Sequence, residues 1–260
     1  MRGDGGEIRI ALAGDWGTGT DEAAQVGALI EAWRPHYSIH LGDVYYVGDP
    51  AEVGANFLGV TNPRYQFAPC KWPLGSEGAL ALNGNHEMYA RGFGYFDHLL
   101  PKLGVRGSPR GQRASHFCLE NDHWRIIALD TAYNSVRASL IERFIEPDCA
   151  PPAELIDWLR NSVSVRPVGI VILSHHAYVS RSDHCYPTPA RQLAEFFSRP
   201  VFWLWYEYRL AIYRDAAMEG GVTAFGRCIG HGGMPVDLPP KPPLHDFAVE
   251  FIDDRGLSQR

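Results

Sequence analysis

The stretch ALALNGNHEMYA, residues 79–90, places an amide, an imidazole and a carboxylate directly after an apolar run. The run itself is short and apolar and is bounded by turn residues, which is typical of a buried strand. Asn85, His86 and Glu87 follow it almost at once. A strand that only has to reach solvent does not need these side chains. Their position therefore predicts that a ligand is held at the end of this strand.

Polar residues also follow other apolar runs of the chain. Asp15 follows EIRIALAG, Asp43 follows YSIHLG, Asp130 follows WRIIAL, and His175 follows GIVILS. Near the end of the chain, RCIG is followed by His231, and DFAVEFI is predicted to form a closing strand. The repetition matters because a single Asp or His after a strand is usually no more than a turn residue. Several such strand ends together favour one shared site.

Between the predicted strands, apolar residues recur at helical spacing. A helix is predicted over 21–33 after a Thr20 cap, a second over 152–163, and a shorter one from Pro189. Strands that alternate with helices predict an α/β domain. No repeat, low-complexity tract or linker is evident, so we expect a single domain over residues 1–260. The apolar face of the first helix is predicted to consist of Ala23, Val26, Leu29, Ile30 and Trp33.

The composition narrows the classes of function. Of the 260 residues, 45% are hydrophobic and 21% are charged, as in an ordinary globular protein with a substantial core. The net charge of −6 argues against general binding to nucleic acids or to anionic membranes. Five dispersed cysteines without a C-x-x-C pair indicate reduced thiols. The sequence is strand-like from residue 7 and has no apolar run of membrane-spanning length, so we expect a cytoplasmic protein without a membrane partner.

The residues at the predicted strand ends have the chemistry of metal ligands. In α/β folds, ligands gather beyond the carboxyl ends of the strands, where the loops converge. Carboxylate, amide and imidazole groups suit Zn, Mn or Fe better than a soft metal. A carboxylate can also bridge two cations that lie about 3.5–4 Å apart, as in many hydrolytic sites. The sequence therefore predicts a metal site built from these residues.

Four blocks of the chain resemble those of the calcineurin-like metallophosphoesterases. They are GDWG (14–17), GDVYY (42–46), GNHE (84–87) and ILSHH (172–176), and they are most similar to the purple-acid-phosphatase-like branch. The resemblance implies a four-layer fold, a β-sandwich flanked by helices, with a dinuclear metal centre at one edge. It also implies a metal-dependent phosphatase or phosphodiesterase that uses metal-activated hydroxide on a small phosphoester. The metals implied are one or two ions of Fe, Mn or Zn.

The resemblance also implies metal ligands at particular positions of this sequence. Asp15 would bind the first metal and Asp43 would bridge both. Tyr46, three residues after Asp43, matches the tyrosinate ligand of an Fe(III) site. Asn85 and His175 would bind the second metal.

Other polar residues of these blocks would act beside the metals. His86 would stand by the leaving group and help its oxygen to depart. Glu87 would orient His86 from the second layer around the site. His176, directly after a ligand, is expected to face that second layer or the substrate. His184 lies on a loop where the resemblance implies a histidine that contacts the phosphate.

The family's last block, GHxH, is missing, and two segments compete for its place. GHGG (230–233) keeps His231 but has Gly233 at the second histidine position. WLWYEYRLAIY (203–213) resembles a WxWGHEHRLxIY segment that has lost its glycine and has Tyr206 and Tyr208 in place of both histidines. Tyr206 lies 31 residues after His175, whereas His231 lies 56 residues after it, and the shorter spacing fits the family better.

Because the GHxH block is missing, the sequence also permits an alternative function. A neutral imidazole binds metal at neutral pH, whereas a phenol with a pKa near ~10 must first lose its proton. The site is then mononuclear, weakly loaded or inactive. The alternative to an enzyme is a catalytically impaired protein of the same fold with a binding or regulatory role. Retention of Asn85 and His86 favours the enzyme, and the degenerate block favours the alternative.

Overall fold

A computed structural model of the chain describes most of its residues. These are residues 1–3, 5–135, 149–162, 168–180, 184–206, 208–213, 216–217, 221–235 and 247–253. Val163, the last residue of the helix predicted over 152–163, lies outside the described residues. So does Glu207, which lies between the two tyrosines of the segment WLWYEYRLAIY. The chain divides into two compact units, one formed by residues 1–115 with 231–234 and the other by residues 116–230 with 235–260. The prediction of a single domain over 1–260 stays a prediction.

The first unit contains a four-stranded sheet in the order β1-β2-β3-β4. Its first three strands pair in parallel and the fourth is antiparallel to β3. All four residues of β2 are buried, as expected for a central strand that is covered on both faces. The strands are β1 (Ile10–Ala13), β2 (Tyr37–His40), β3 (Gly78–Ala81) and β4 (Gly104–Val105).

Short helices follow the strands of the first unit. They are α1 (Asp21–Trp33), α2 (Pro50–Asn56) and α3 (Asn85–Tyr89), followed by a π-helical turn (Gly94–Leu99) and a 3₁₀ turn (Leu100–Lys102). The predicted bounds of α1 are confirmed, and the hydroxyl of Thr20 caps the helix by accepting the N–H of Ala23 at 3.2 Å.

The predicted apolar face of α1 is partly wrong. Leu29 and Trp33 are 71% and 51% exposed, whereas the buried residues are Ala23 and Gly27. The reason is the indole of Trp16, whose N–H donates to the carbonyl of Ala23 at 2.6 Å. A side chain on Gly27 would approach that indole to 3.2 Å. Small residues are therefore turned inward, Val26 and Ile30 pack against the same core, and Leu29 and Trp33 are left at the surface.

The second unit contains an eight-stranded sheet in the order β12-β9-β11-β8-β7-β6-β5, with β10 paired to β11. Its centre, β6-β7-β8-β11, is parallel. The strands are β5 (Phe117–Glu120), β6 (Trp124–Leu129), β7 (Gly169–Ser174), β8 (Val201–Trp205), β9 (Leu210–Tyr213), β10 (Ala216–Ala217), β11 (Thr223–Ile229) and β12 (Val249–Asp253).

Two helices belong to the second unit, α4 (Ala153–Ser162) and α5 (Pro187–Leu193). The predicted helix from Pro189 thus begins two residues earlier, and the predicted closing strand is confirmed as β12. Leu155 and Leu159 of α4 pack with Trp203 and Trp205 of β8 in the core of this unit. The ring of Trp203 stacks on that of Tyr178 with 4.3 Å between centroids.

The predicted α/β class is confirmed, because the chain forms two mixed sheets flanked by helices. Within the described ranges, every helix is too short or too polar to cross a membrane. In both units the strands that end in potential ligands are parallel neighbours, so their carboxyl ends lie side by side.

Candidate metal centre

Asp15 and Asp43 lie on the loops that follow the parallel strands β1 and β2. Both side chains are almost completely buried, at 0% and 3% exposure. The N–H of Asp15 donates to the carbonyl of Gly42 at 3.0 Å, which ties the two loops together. Both aspartates have left-handed backbones, with φ of 53° and 69°. Such backbones are uncommon outside glycine and gather at functional sites, where the surrounding structure holds them.

The GNHE block lies against the Asp43 loop. The N–H of His86 donates to Oδ1 of Asp43 at 2.9 Å. Gly84 approaches the same oxygen so closely that any side chain at this position would collide with it. The glycine of GNHE is therefore required by the close approach of Asp43, and the start of α3 directs an N–H at the carboxylate.

Glu87 holds the Asp43 loop. Its buried carboxylate accepts the N–H groups of Gly84 and Asp43 through Oε2, at 3.0 and 3.1 Å, and of Val44 through Oε1, at 3.0 Å. The sequence led us to expect that Glu87 orients His86. What the structure shows is that its carboxylate holds the backbone around Asp43.

Replacing Glu87 by Gln should therefore destabilise the first unit. The amide would direct an NH₂ group at backbone donors that now share a carboxylate, and at least one buried N–H would lose its acceptor. The expected loss is about 1–3 kcal/mol in the free energy of unfolding. Urea denaturation measures it, with Glu31→Gln on the exposed surface of α1 as the matched control. Equal stability of both variants would show that Glu87 does not support this loop.

Of the two adjacent tyrosines, Tyr45 has its hydroxyl beside the aspartates, and the predicted role of Tyr46 as a metal ligand stays a prediction. The hydroxyl of Tyr45 donates to Oδ2 of Asp15 and lies 3.4 Å from Oδ2 of Asp43, and the residue is buried. Tyr46 is 62% exposed instead. Val44 pairs with Gly17, and the N–H of Tyr45 donates to the same Gly17 at 2.8 Å. Tyr45 and Tyr46 lie in the turn that follows this contact, and of the two side chains only that of Tyr45 is buried.

His86 lies beside Asp43 with a defined tautomer. Its Nδ1 is 2.6 Å from the backbone carbonyl oxygen of Tyr46. Because a carbonyl can only accept, Nδ1 carries a proton. Its Nε2 lies 3.8 Å from Oδ2 of Asp43, and its ring centroid lies 4.3 Å from that of Tyr45. Nε2 is therefore the nitrogen on the side of the carboxylates.

The GHGG segment is packed against the loop of Asp15. The N–H of Gly232 donates to the carbonyl of Gly14 at 2.7 Å, and the hydroxyl of Thr20 donates to the carbonyl of Gly233 at 3.1 Å. Gly233 has a φ of 126°, and a Cβ there would lie 2.5 Å from the backbone nitrogen of Ala23. The position has no room for a histidine, which favours the view that GHGG is not a reduced GHxH block.

His231 lies in the first unit with that segment. It is partly buried, and burial lowers the pKa of its imidazole, so the neutral form is favoured. Its Nδ1 lies 3.4 Å from the N–H of Gly233.

In the second unit, His175 and Tyr206 follow the neighbouring strands β7 and β8. The parallel register pairs Ser174 with Trp205, and the N–H of Tyr206 donates to the carbonyl of His175 at 3.3 Å. The two rings stack with centroids 5.1 Å apart and planes 18° from parallel. Tyr206, the first tyrosine of the segment that resembles the missing block, thus lies at the strand end next to His175. The ring of Tyr208 lies edge-on to Tyr206 at 5.7 Å.

His176 points into a polar cluster at the ends of β6 and β7. Its Nδ1 lies 3.1 Å from the hydroxyl of Thr131, which also accepts the N–H of His176 at 3.2 Å. Its ring meets that of Tyr186 edge-on at 5.0 Å. Thr131 was not predicted from the sequence, although it follows the strand end at Asp130. His184 is exposed before α5, and its contact with a phosphate stays a prediction.

Comparison with known proteins identifies the fold. No family model and no curated protein sequence match this chain. Among solved structures, it is similar to purple acid phosphatase PPD1 from seeds of yellow lupin (Lupinus luteus), with a TM-score of 0.59 and 11% identity. The similarity covers 96% of this chain and 48% of the phosphatase, so the chain spans about half of that protein's length. The fold is thus of the metallophosphoesterase type that the sequence blocks implied.

Proposed function

We propose that this chain is a metal-dependent hydrolase of phosphoric esters. Asp15 and Asp43 would bind the metal, and Asn85 and His175 would be further ligands, as the resemblance of the sequence blocks implies. The observation that carries the proposal is the buried pair Asp15 and Asp43, held in left-handed backbones and fixed by Glu87 and by the start of α3.

The donor set fits a transition metal. Two buried carboxylates around one phenol are costly unless a positive charge compensates them. Carboxylate, amide and imidazole ligands suit Zn, Mn or Fe, and a bridging Asp43 permits two ions. When bound, the metal would lower the pKa of water from 15.7 toward about 7 and would withdraw charge from the phosphoryl oxygens.

Residues of the chain would then act on the phosphoryl group and on the leaving group. Asp15, Asp43 and Asn85 would hold the metal, which would supply the positive charge for the phosphoryl oxygens. His86 faces the carboxylates with Nε2 while Nδ1 is held by the carbonyl of Tyr46. Because Nδ1 already carries a proton, Nε2 can donate one to the leaving oxygen only as an imidazolium. The backbone carbonyl of Tyr46 thus orients the imidazole of His86, whereas the side chain of Tyr46 is exposed.

A second candidate is a protein that binds metal or phosphate without efficient turnover. The phenol of Tyr206 stacked on His175 favours it, because this position holds no imidazole.

Two measurements on the same purified protein separate the candidates. Metal content is determined by elemental analysis after incubation with Mn²⁺, Zn²⁺ or Fe²⁺. Hydrolysis of 4-nitrophenyl phosphate and of bis-4-nitrophenyl phosphate is then measured with each metal. Bound metal with turnover of either ester supports the hydrolase. Bound metal without turnover supports the second candidate, and absence of bound metal contradicts the hydrolase.

The colour of iron-loaded protein tests which tyrosine contacts the metal. A phenolate bound to Fe(III) gives a visible charge-transfer band, which the sequence assigned to Tyr46. Given the geometry, we expect Tyr45→Phe to abolish the band and Tyr46→Phe to leave it in place. Absorption spectra of the unsubstituted protein and of the two variants, each loaded with iron, distinguish the two assignments. A band that survives Tyr45→Phe but not Tyr46→Phe would restore the original assignment.

A further inference from the structure

Tyr89 closes α3 and contacts both polar side chains with which the helix begins. The Nδ2 group of Asn85 donates to the hydroxyl of Tyr89 at 3.2 Å. The ring of Tyr89 lies 5.0 Å from that of His86, with 63° between their planes. Residues three and four apart on a helix share a face, so one side chain reaches both neighbours. Tyr89 itself is 49% exposed and is not part of the core.

The contact with Asn85 determines which end of the amide faces away from Tyr89. An amide has a donor nitrogen and an acceptor oxygen, and only the oxygen can bind a metal. When Nδ2 donates to the phenol, Oδ1 is left on the opposite side of the group. The hydroxyl of Tyr89 therefore gives the amide a partner in the one orientation that a metal ligand needs. Groups that orient a ligand in this way change metal affinity by about 10–100-fold.

The contact with His86 limits the rotation of the imidazole. Its ring lies between Tyr45, with centroids 4.3 Å apart, and Tyr89, with centroids 5.0 Å apart. Nδ1 is held by the carbonyl of Tyr46 at 2.6 Å. Two aromatic rings and one hydrogen bond thus fix the direction of Nε2. Removing the ring of Tyr89 frees one side of the imidazole.

We infer that Tyr89 is a positioning residue of the proposed active site. Its hydroxyl orients Asn85 toward the metal, and its ring orients His86 toward the leaving group. The inference rests on the proposed function. It assigns separate tasks to two parts of one side chain, which two substitutions can separate.

The test compares Tyr89→Phe, which removes the hydroxyl alone, with Tyr89→Leu, which also removes the ring. Binding of Mn²⁺ is measured by calorimetry, and kcat is measured at saturating Mn²⁺ with phenyl phosphate and 4-nitrophenyl phosphate. Both variants should weaken Mn²⁺ binding by about 10–100-fold. Tyr89→Phe should keep kcat within about twofold. Tyr89→Leu should lower kcat for phenyl phosphate at least ~10-fold, with a smaller loss for 4-nitrophenyl phosphate, whose leaving group needs less proton donation.

A control variant tests the effect of removing a hydroxyl elsewhere. Tyr65, in the loop between α2 and β3, stacks on Phe67 with centroids 5.0 Å apart, and Tyr65→Phe should bind Mn²⁺ as the unsubstituted protein does. Thermal unfolding identifies variants that fail to fold. If Tyr89→Leu fails to fold, Mn²⁺ binding by Tyr89→Phe alone tests the inference. Unchanged Mn²⁺ binding by Tyr89→Phe in an active enzyme overturns the inference, as does an equal loss on both esters in a folded Tyr89→Leu. An unsubstituted protein that neither binds Mn²⁺ nor hydrolyses either ester overturns the proposed function as well.

Discussion

Replacing Asp43 by Asn is expected to weaken metal binding by more than about 100-fold, because loss of an orienting partner alone costs ~10–100-fold. The reason is that Asp43 is the proposed bridging ligand and loses its charge in this variant. The fold should persist, since Asn adopts a left-handed backbone as readily as Asp. The oxygen of the introduced amide can also still accept the N–H of His86, as Oδ1 of Asp43 does at 2.9 Å. Metal content by elemental analysis measures the effect.

Two comparisons make this result specific. Asp49→Asn changes an aspartate that caps α2, where Asn is an equally good cap, and metal content should not change. His86→Ala should keep the metal and lose turnover, because His86 acts on the leaving group and is not a ligand. If Asp43→Asn retains the full metal content, Asp43 does not bridge metals. If His86→Ala loses the metal, His86 is a ligand and its assigned role is wrong.

The strand ends of the site could be predicted because their signals are local. Short apolar runs that end in Gly-Asp or in Gly-Asn-His indicate where a strand ends and which side chains follow it. The bounds of α1 were equally accessible, since Thr20 and Asp21 mark its start. What a local signal does not contain is the neighbour across the fold. The inward face of α1 depends on Trp16, and no periodicity within the helix indicates that indole.

The choice between Tyr45 and Tyr46 shows the limit of motif spacing. The family's spacing points to Tyr46, but the structure buries the side chain of its neighbour Tyr45 beside Asp15. The two tyrosines lie in a turn whose start pairs with Gly17, 27 residues before Val44, so no local pattern indicates which of them faces inward. Glu87 likewise has contacts that no local pattern indicates. Its three backbone donors come from two loops that only the fold brings together.

The largest gain of function is expected from rebuilding the missing GHxH block after β8. The variant inserts Gly before Tyr206 and changes Tyr206 and Tyr208 to His. The register of β7 with β8 places Tyr206 beside His175, where a ligand on the next strand end would lie. Metal affinity and turnover should both rise at least roughly 10-fold, the reverse of the loss expected when a ligand environment is damaged.

The physical reason is the protonation state of the two side chains. A phenol with an unperturbed pKa near ~10 must release a proton before it can bind a divalent metal at neutral pH, whereas an imidazole is already neutral. Insertion of Gly alone, with both tyrosines retained, is the matched control and should not raise metal content. Changing both tyrosines to Phe should also leave metal binding unchanged, because in the present chain these phenols are not expected to bind it.

His231→Ala then decides between the two candidate segments. Gly233 has no room for a side chain. The GHGG turn is hydrogen-bonded to Gly14 and to Thr20, the cap of α1, so this segment supports the Asp15 loop. His231→Ala should therefore have little effect on metal content. The opposite pair of results, in which His231→Ala removes the metal and the rebuilt block changes nothing, would identify GHGG as the half-retained motif. It would also return the two tyrosines to a purely structural role beside His175.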